Sequence, residues 1–188
     1  MRRIGKTVSG RSGAVATVAA TVPLVALGIG GWPAAADDGR GAVVVVEGLR
    51  DLKPAQADPL DGAQAQVTIT ERDGSTYFTF RLQGVDRTAG ARTFGAHLHN
   101  GQCLAGNGGA AGAHYNDEAI HGDPTPVADR DTEVWLDFQV NAGGAGHALV
   151  SVPFEVVPAE RSIVVHALPT APGGGAGDRL ACIPVDLR

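Results

Sequence analysis

Aromatic residues are scarce, at 5% of 188 residues, so a core must rest on Val, Ile, Leu and Ala. Apart from the N-terminal segment, no stretch keeps a helical period, which argues against a helical bundle. No block of like charge is long enough to form a disordered tail, and low complexity is confined to short Ala/Gly patches. Positive charge is also short, with 15 Lys and Arg against 20 Asp and Glu, a formal charge of −5. Cysteine is limited to Cys103 and Cys182.

What is present begins with an export signal. Arg2, Arg3, Lys6 and Arg11 form a positive flank, an uncharged run extends from Ser12 to Ala36, and Ala34-Ala35-Ala36 has the small residues of a cleavage site. Pro23 and several glycines interrupt the run, which argues against a permanent transmembrane helix. The expectation is a signal peptide over residues 1–36 and one domain over 37–188, an uncleaved anchor being the alternative. Arg2-Arg3 raises the twin-arginine route, though Gly5-Lys6 fits it poorly, and no cysteine near the cleavage site suggests a lipoprotein. Cleavage takes the formal charge from −5 to −9. So acidic a domain is a poor binder of nucleic acid or anionic membrane, both of which need basic patches. In a secreted, periplasmic or cell-envelope setting, an even cysteine count favours a disulfide over two buried thiols. Closing a loop of that span would stabilise by roughly 4–5 kcal/mol.

Short strands separated by turns follow the signal. Ala42–Leu49 is β-branched; Gln66–Glu71 and Thr76–Leu82 alternate apolar and polar around Asp73-Gly74, a hairpin signature. Further strands are expected at Phe94–His99, Thr132–Val140, His147–Val156, Ser162–Ala167 and Leu180–Val185. About eight strands in about 150 residues imply an all-β fold, an eight-stranded, immunoglobulin-like Greek-key β-sandwich or barrel. Two long loops break the rhythm, Asn100–Asp131 and the Gly-rich Leu168–Asp178, and loops that long are usually functional or disordered.

Both loops lie beside histidines. His97 and His99 are two apart in a strand and so share a face. His114 lies in the first loop, and His166 ends the apolar strand SIVVH. Singly, each is more often an ordinary core or surface histidine. Their surroundings, however, form an ordered set of words: GAHLHNGQC (95–103), GAHYN (112–116), IHGDP (120–124), VVH (164–166) and GDRLAC (177–182). In order and approximate spacing, Gly95–Cys182 resembles the copper/zinc superoxide dismutase family, with HNGQC similar to its bacterial members.

The resemblance implies copper ligands at His97, His99, His114 and His166, and imidazole suits both copper oxidation states. It implies a Cys103–Cys182 disulfide and places Arg179 over the metal as an anion guide whose charge is permanent. It further implies the catalytic sequence. One superoxide reduces copper and leaves as oxygen; a second reoxidises it and leaves, with two protons, as hydrogen peroxide. His114 would release the reduced metal and supply one proton.

Two departures stand out. In the family, the His114 position also holds zinc with two further histidines and an aspartate; here only His121 matches, and the remaining positions fall near TEVWLD (132–137). Asp123, Asp129, Asp131 or Asp137 could complete a zinc set with His114 and His121, but structural zinc sites are closed by four ligands, so copper alone is expected. The Gly-rich loop also lacks the family's steering charges and the aspartate that links the ligands of its two metals from behind; its only charge is Asp178. The resemblance, with the export signal, therefore implies an exported, copper-dependent superoxide dismutase acting on a small-molecule substrate. The alternatives are a copper-binding or copper-buffering protein of the same fold, and a scaffold that has lost its metal. His147 is expected to be a surface residue.

Overall fold

The structure is a computed structural model and describes residues 42–188; the expected signal peptide, residues 1–36, lies outside the described residues. Those residues form ten strands. One four-stranded antiparallel sheet has the order β1 (Val43–Gly48), β3 (Gln64–Arg72), β4 (Ser75–Gln83), β8 (Gly146–Val152). The second has the order β2 (Arg50–Asp51), β10 (Arg179–Asp186), β9 (Glu160–His166), β6 (Ala96–His99). A small third sheet pairs β5 (Thr93–Phe94) with β7 (Phe138–Gln139). β4 and β8 are neighbours, yet the chain between them crosses to the second sheet, lays down β6 and returns, the long connection of a Greek key. This is the expected all-β sandwich. Among the described residues no helix is long and apolar enough to cross a membrane.

Alternation builds the core. Val67 and Ile69 of β3, Phe78, Phe80 and Leu82 of β4, Leu98 of β6, and Ile163 and Val165 of β9 share one buried cluster between the sheets. The β3–β4 hairpin turns on Asp73-Gly74, whose φ values of 54° and 76° are the paired left-handed conformations of a tight two-residue loop. The second sheet differs from the first because its outer face is also covered. On that face Val164, Cys182, Leu52, Cys103 and Ala111 form a second buried cluster. His97 and His99, opposite Val164 and Ser162, point to the same side.

Three expected strands come out differently. Phe94–His99 is split at Gly95, where a Cβ would lie 2.8 Å from the Leu168 carbonyl and 2.8 Å from the Ala176 side chain. Thr132–Val140 keeps only Phe138–Gln139 as regular strand. The free edge of β6 is shared: the Tyr115 amide donates to the Leu98 carbonyl at 2.8 Å, while the Leu98 amide donates to Val134 and the Leu136 amide to Ala96. Two segments using one edge in turn leave neither a continuous ladder. His147–Val156 stops at Val152, before Pro153, and the Thr76 hydroxyl takes over by donating to Phe154 and accepting from the Val156 amide.

Candidate metal centre

Four imidazoles meet on the covered outer face of the second sheet. β6 supplies His97 and His99, and β9 supplies His166, whose amide donates to Gly95 at 2.8 Å. The long loop folds back along β6 so that His114 bridges His99. Each residue offers a ring nitrogen, and these atoms all lie within 4.8 Å of one another. His97, His99 and His166 are buried and His114 partly so. All four expected ligand residues are thus brought together.

Their hydrogen bonds settle which nitrogens face inward. His99 Nδ1 donates to the Gly112 carbonyl at 3.1 Å, and His166 Nδ1 donates to the Gly177 carbonyl at 3.1 Å. A carbonyl can only accept, so both Nε2 atoms carry lone pairs, and they sit 3.3 Å apart. Two facing lone pairs repel unless a proton or cation lies between them. His114 Nδ1 lies 2.9 Å from Glu133 Oε2, which leaves its Nε2 free. His97 is the reverse: its Nε2 is 2.7 Å from Thr170 Oγ1, and its Nδ1 is buried without a partner. A buried polar atom without a partner is costly, and four converging lone pairs are the donor set a cation requires. Burial first, then the neighbouring imidazoles, pushes His97 down to about 2. His99 lies at about 3, through burial and then His114, and His166 at about 4, mainly through burial. All three stay neutral and able to ligate at neutral pH.

The sequence-named zinc residues do not gather with His114 among the described residues. His121 is exposed and its Nδ1 bonds the Asp117 carbonyl at 2.9 Å. Asp123 and Asp129 accept amides of their own turns, and Asp131 is exposed. Asp137 faces Thr170 instead. The partner of His114 is Glu133, which is buried and also accepts from Trp135 Nε1 at 2.8 Å. Burial raises the Glu133 carboxyl, but the bonds from His114 and Trp135 prevail and hold it below the ordinary value. Glu133 is not among the residues expected for zinc, all of which are histidine or aspartate. The available signal was its spacing from Trp135, two apart in an extended segment and so on one face.

Arg179 stands at the rim. Its guanidinium donates to the Gly108 and Gly112 carbonyls, each at 2.6 Å. Gly112 is the same carbonyl that orients His99. Asp178, the only charge in the Gly-rich loop, is paired with Lys53. The Cys103–Cys182 disulfide is formed, with Cα atoms 5.6 Å apart, and links the first ligand loop to β10. Such a bond fits an oxidising compartment. His147 is exposed on β8.

No protein-family model and no curated protein matches the sequence. Among solved structures, the crystal structure of the clock protein EA4 is similar over 78% of this chain and 94% of its own, with a TM-score of 0.54 at 15% sequence identity. At that identity the likeness speaks for the fold alone. The chain is therefore a disulfide-tied β-sandwich in which four histidines could hold a metal ion.

Proposed function

We propose that this chain is an exported, copper-dependent superoxide dismutase, converting two superoxide ions and two protons into oxygen and hydrogen peroxide. The observation carrying this reading is the convergence of four imidazole lone pairs, one of them a buried, unpartnered Nδ1, beside a fixed guanidinium. Copper held by His97, His99, His114 and His166 would supply the one-electron couple that accepts an electron from one superoxide and returns it to the next. The residues supply the rest. Arg179, anchored by two carbonyls, presents a permanent positive charge to an approaching anion. Burial keeps His97, His99 and His166 from taking up protons. His114, backed by the Glu133 carboxylate, is the ring suited to carry a proton at Nε2, because the cation so formed is paired at Nδ1. Copper without zinc is the fuller reading, since Glu133 already engages the nitrogen of His114 that zinc would need.

One set of observations favours a second reading, a copper-buffering protein. The acidic domain repels anions, and the loop's single charge is paired away by Lys53. Loading the purified domain with copper alone, then with copper and zinc, and assaying dismutation separates the two. Turnover with copper alone is expected. Tight copper binding without turnover would establish the buffer, and no copper binding would overturn both.

A further inference from the structure

The two nitrogens of His97 are used in the opposite sense to those of the other three imidazoles. Gly112, Gly177 and Glu133 each engage an Nδ1 and leave Nε2 free. At His97, Nε2 meets the Thr170 hydroxyl at 2.7 Å. A hydroxyl alone cannot choose a tautomer, because it can donate or accept. Asp137 removes that freedom. Its Oδ1 lies 2.6 Å from the same hydroxyl and can only accept, so the single hydroxyl proton is committed to Asp137. The oxygen must then accept from His97 Nε2–H, which leaves the lone pair on Nδ1, the nitrogen that is buried without a partner.

We propose that Thr170, backed by Asp137, is a positioning residue that fixes the tautomer of His97 and thereby selects the nitrogen this ring offers to a metal. The proposal rests on reading the four imidazoles as a metal centre. The same contact closes the Gly-rich loop over the site. Asp137 Oδ2 also accepts the Thr170 amide at 3.0 Å, so one carboxylate clamps both the backbone and the side chain of that residue. Gly95 makes the approach sterically possible: a Cβ there would lie 2.9 Å from Thr170 Oγ1 and 2.8 Å from the Leu168 carbonyl. The loop that lacks steering charge thus still contributes to the centre, through a neutral hydroxyl polarised by the Asp137 carboxylate that accepts its proton. His114 and His97 consequently differ in kind, one backed directly by a carboxylate and the other at one remove.

The test uses the metal-free, nitrogen-15-labelled protein at pH 7.5, with imidazole tautomers read by long-range proton–nitrogen NMR. His97 is expected as the Nε2–H form in the native protein and in Thr170→Ser. In Thr170→Val and Asp137→Asn it is expected as a mixture or as the Nδ1–H form. Cu(II) affinity should fall about tenfold or more in Thr170→Val and Asp137→Asn, with altered EPR hyperfine splitting, and Thr170→Ser should restore both. An unchanged His97 tautomer in Thr170→Val, or Cu(II) affinity within about twofold of native in both variants, would overturn the proposal. Should Thr170→Val not fold, Asp137→Asn carries the same readings. Failure of the native protein to bind copper would sink the metal reading, whereas the tautomer measurement reports on Thr170 in either case.

Discussion

Acid should unfold the metal-free protein through its buried imidazoles. His97, His99 and His166 lie at about 2, 3 and 4 in the fold, chiefly because burial disfavours their charged forms. On unfolding, each returns to about 6.5. Between those values the unfolded chain binds more protons than the folded one. Stability is therefore complete above about 6.5 and declines as the pH falls toward the folded values. At pH 5 each ring that stays neutral costs about 2 kcal/mol, and three independent rings would cost about 6 kcal/mol. That figure is an upper one, yet it compares with the about 5–15 kcal/mol that typically stabilises a domain. Carboxylates act in a different window. Glu133, held below its ordinary value, contributes stability that is full above the ordinary glutamate value of about 4.3 and is lost as the pH falls from there through its lower folded value. The raised values of Asp58 and Glu71, due mainly to burial, act in the opposite direction. Urea unfolding with a chelator present, at pH 7.5 and pH 5.0, measures the effect. His166→Gln should reduce the loss by about one ring's share, about 2 kcal/mol. Stability unchanged to within about 1 kcal/mol across that interval would refute the reasoning, as would an undiminished loss in His166→Gln.

Three further outcomes follow from particular contacts. Glu133→Gln can still accept from Trp135 but removes the charge behind His114, so Cu(II) affinity should fall about tenfold with the fold intact, as read by competition titration. Replacing Cys103 and Cys182 together by Ser should cost about 4–5 kcal/mol in urea unfolding, because the bond spans 79 residues. Lys53→Met would leave Asp178 unpaired next to Arg179, and azide binding to the copper-loaded protein should weaken about twofold at low salt. Adding Asp178→Asn should restore azide binding if charge is the cause, whereas a lost tether would not be restored.

The sequence revealed what local patterning controls. The β3–β4 hairpin was legible because alternation and Asp73-Gly74 agree, and each is local. His97 and His99 were legible because the period of a strand places residues two apart on one face. His114 and His166 needed the ordered words around them, since nothing local says that a loop returns to β6. The strand expected over Thr132–Val140 failed because its apolar alternation reflects burial, whereas its backbone bonds are divided with the His114 segment along one edge. Glu133 and Thr170 were missed for a related reason. Each acts through a partner distant in sequence, His114 or His97, and neither residue type marks a metal site by itself.

The glycines of the histidine words have a structural cause of their own. The carbonyls that orient His99 and His166 belong to Gly112 and Gly177, the first residues of GAHYN and GDRLAC. Both adopt left-handed backbone, with φ of 68° and 75°. A side chain would meet a cost of about 1–3 kcal/mol at such backbone angles, above all at Gly112 with its ψ of −155°, or would turn the carbonyl away from its imidazole. Those two backbone turns thus fix two of the four lone pairs, and Gly112 also accepts from Arg179. Orientation of the rings and placement of the guanidinium therefore depend on the same few peptide groups. They lie on the outer face of the second sheet, outside the apolar layer that joins the two sheets. The partners of the imidazoles, a glutamate at one ring and a threonine at another, are thus drawn from outside the residues that hold the sandwich together.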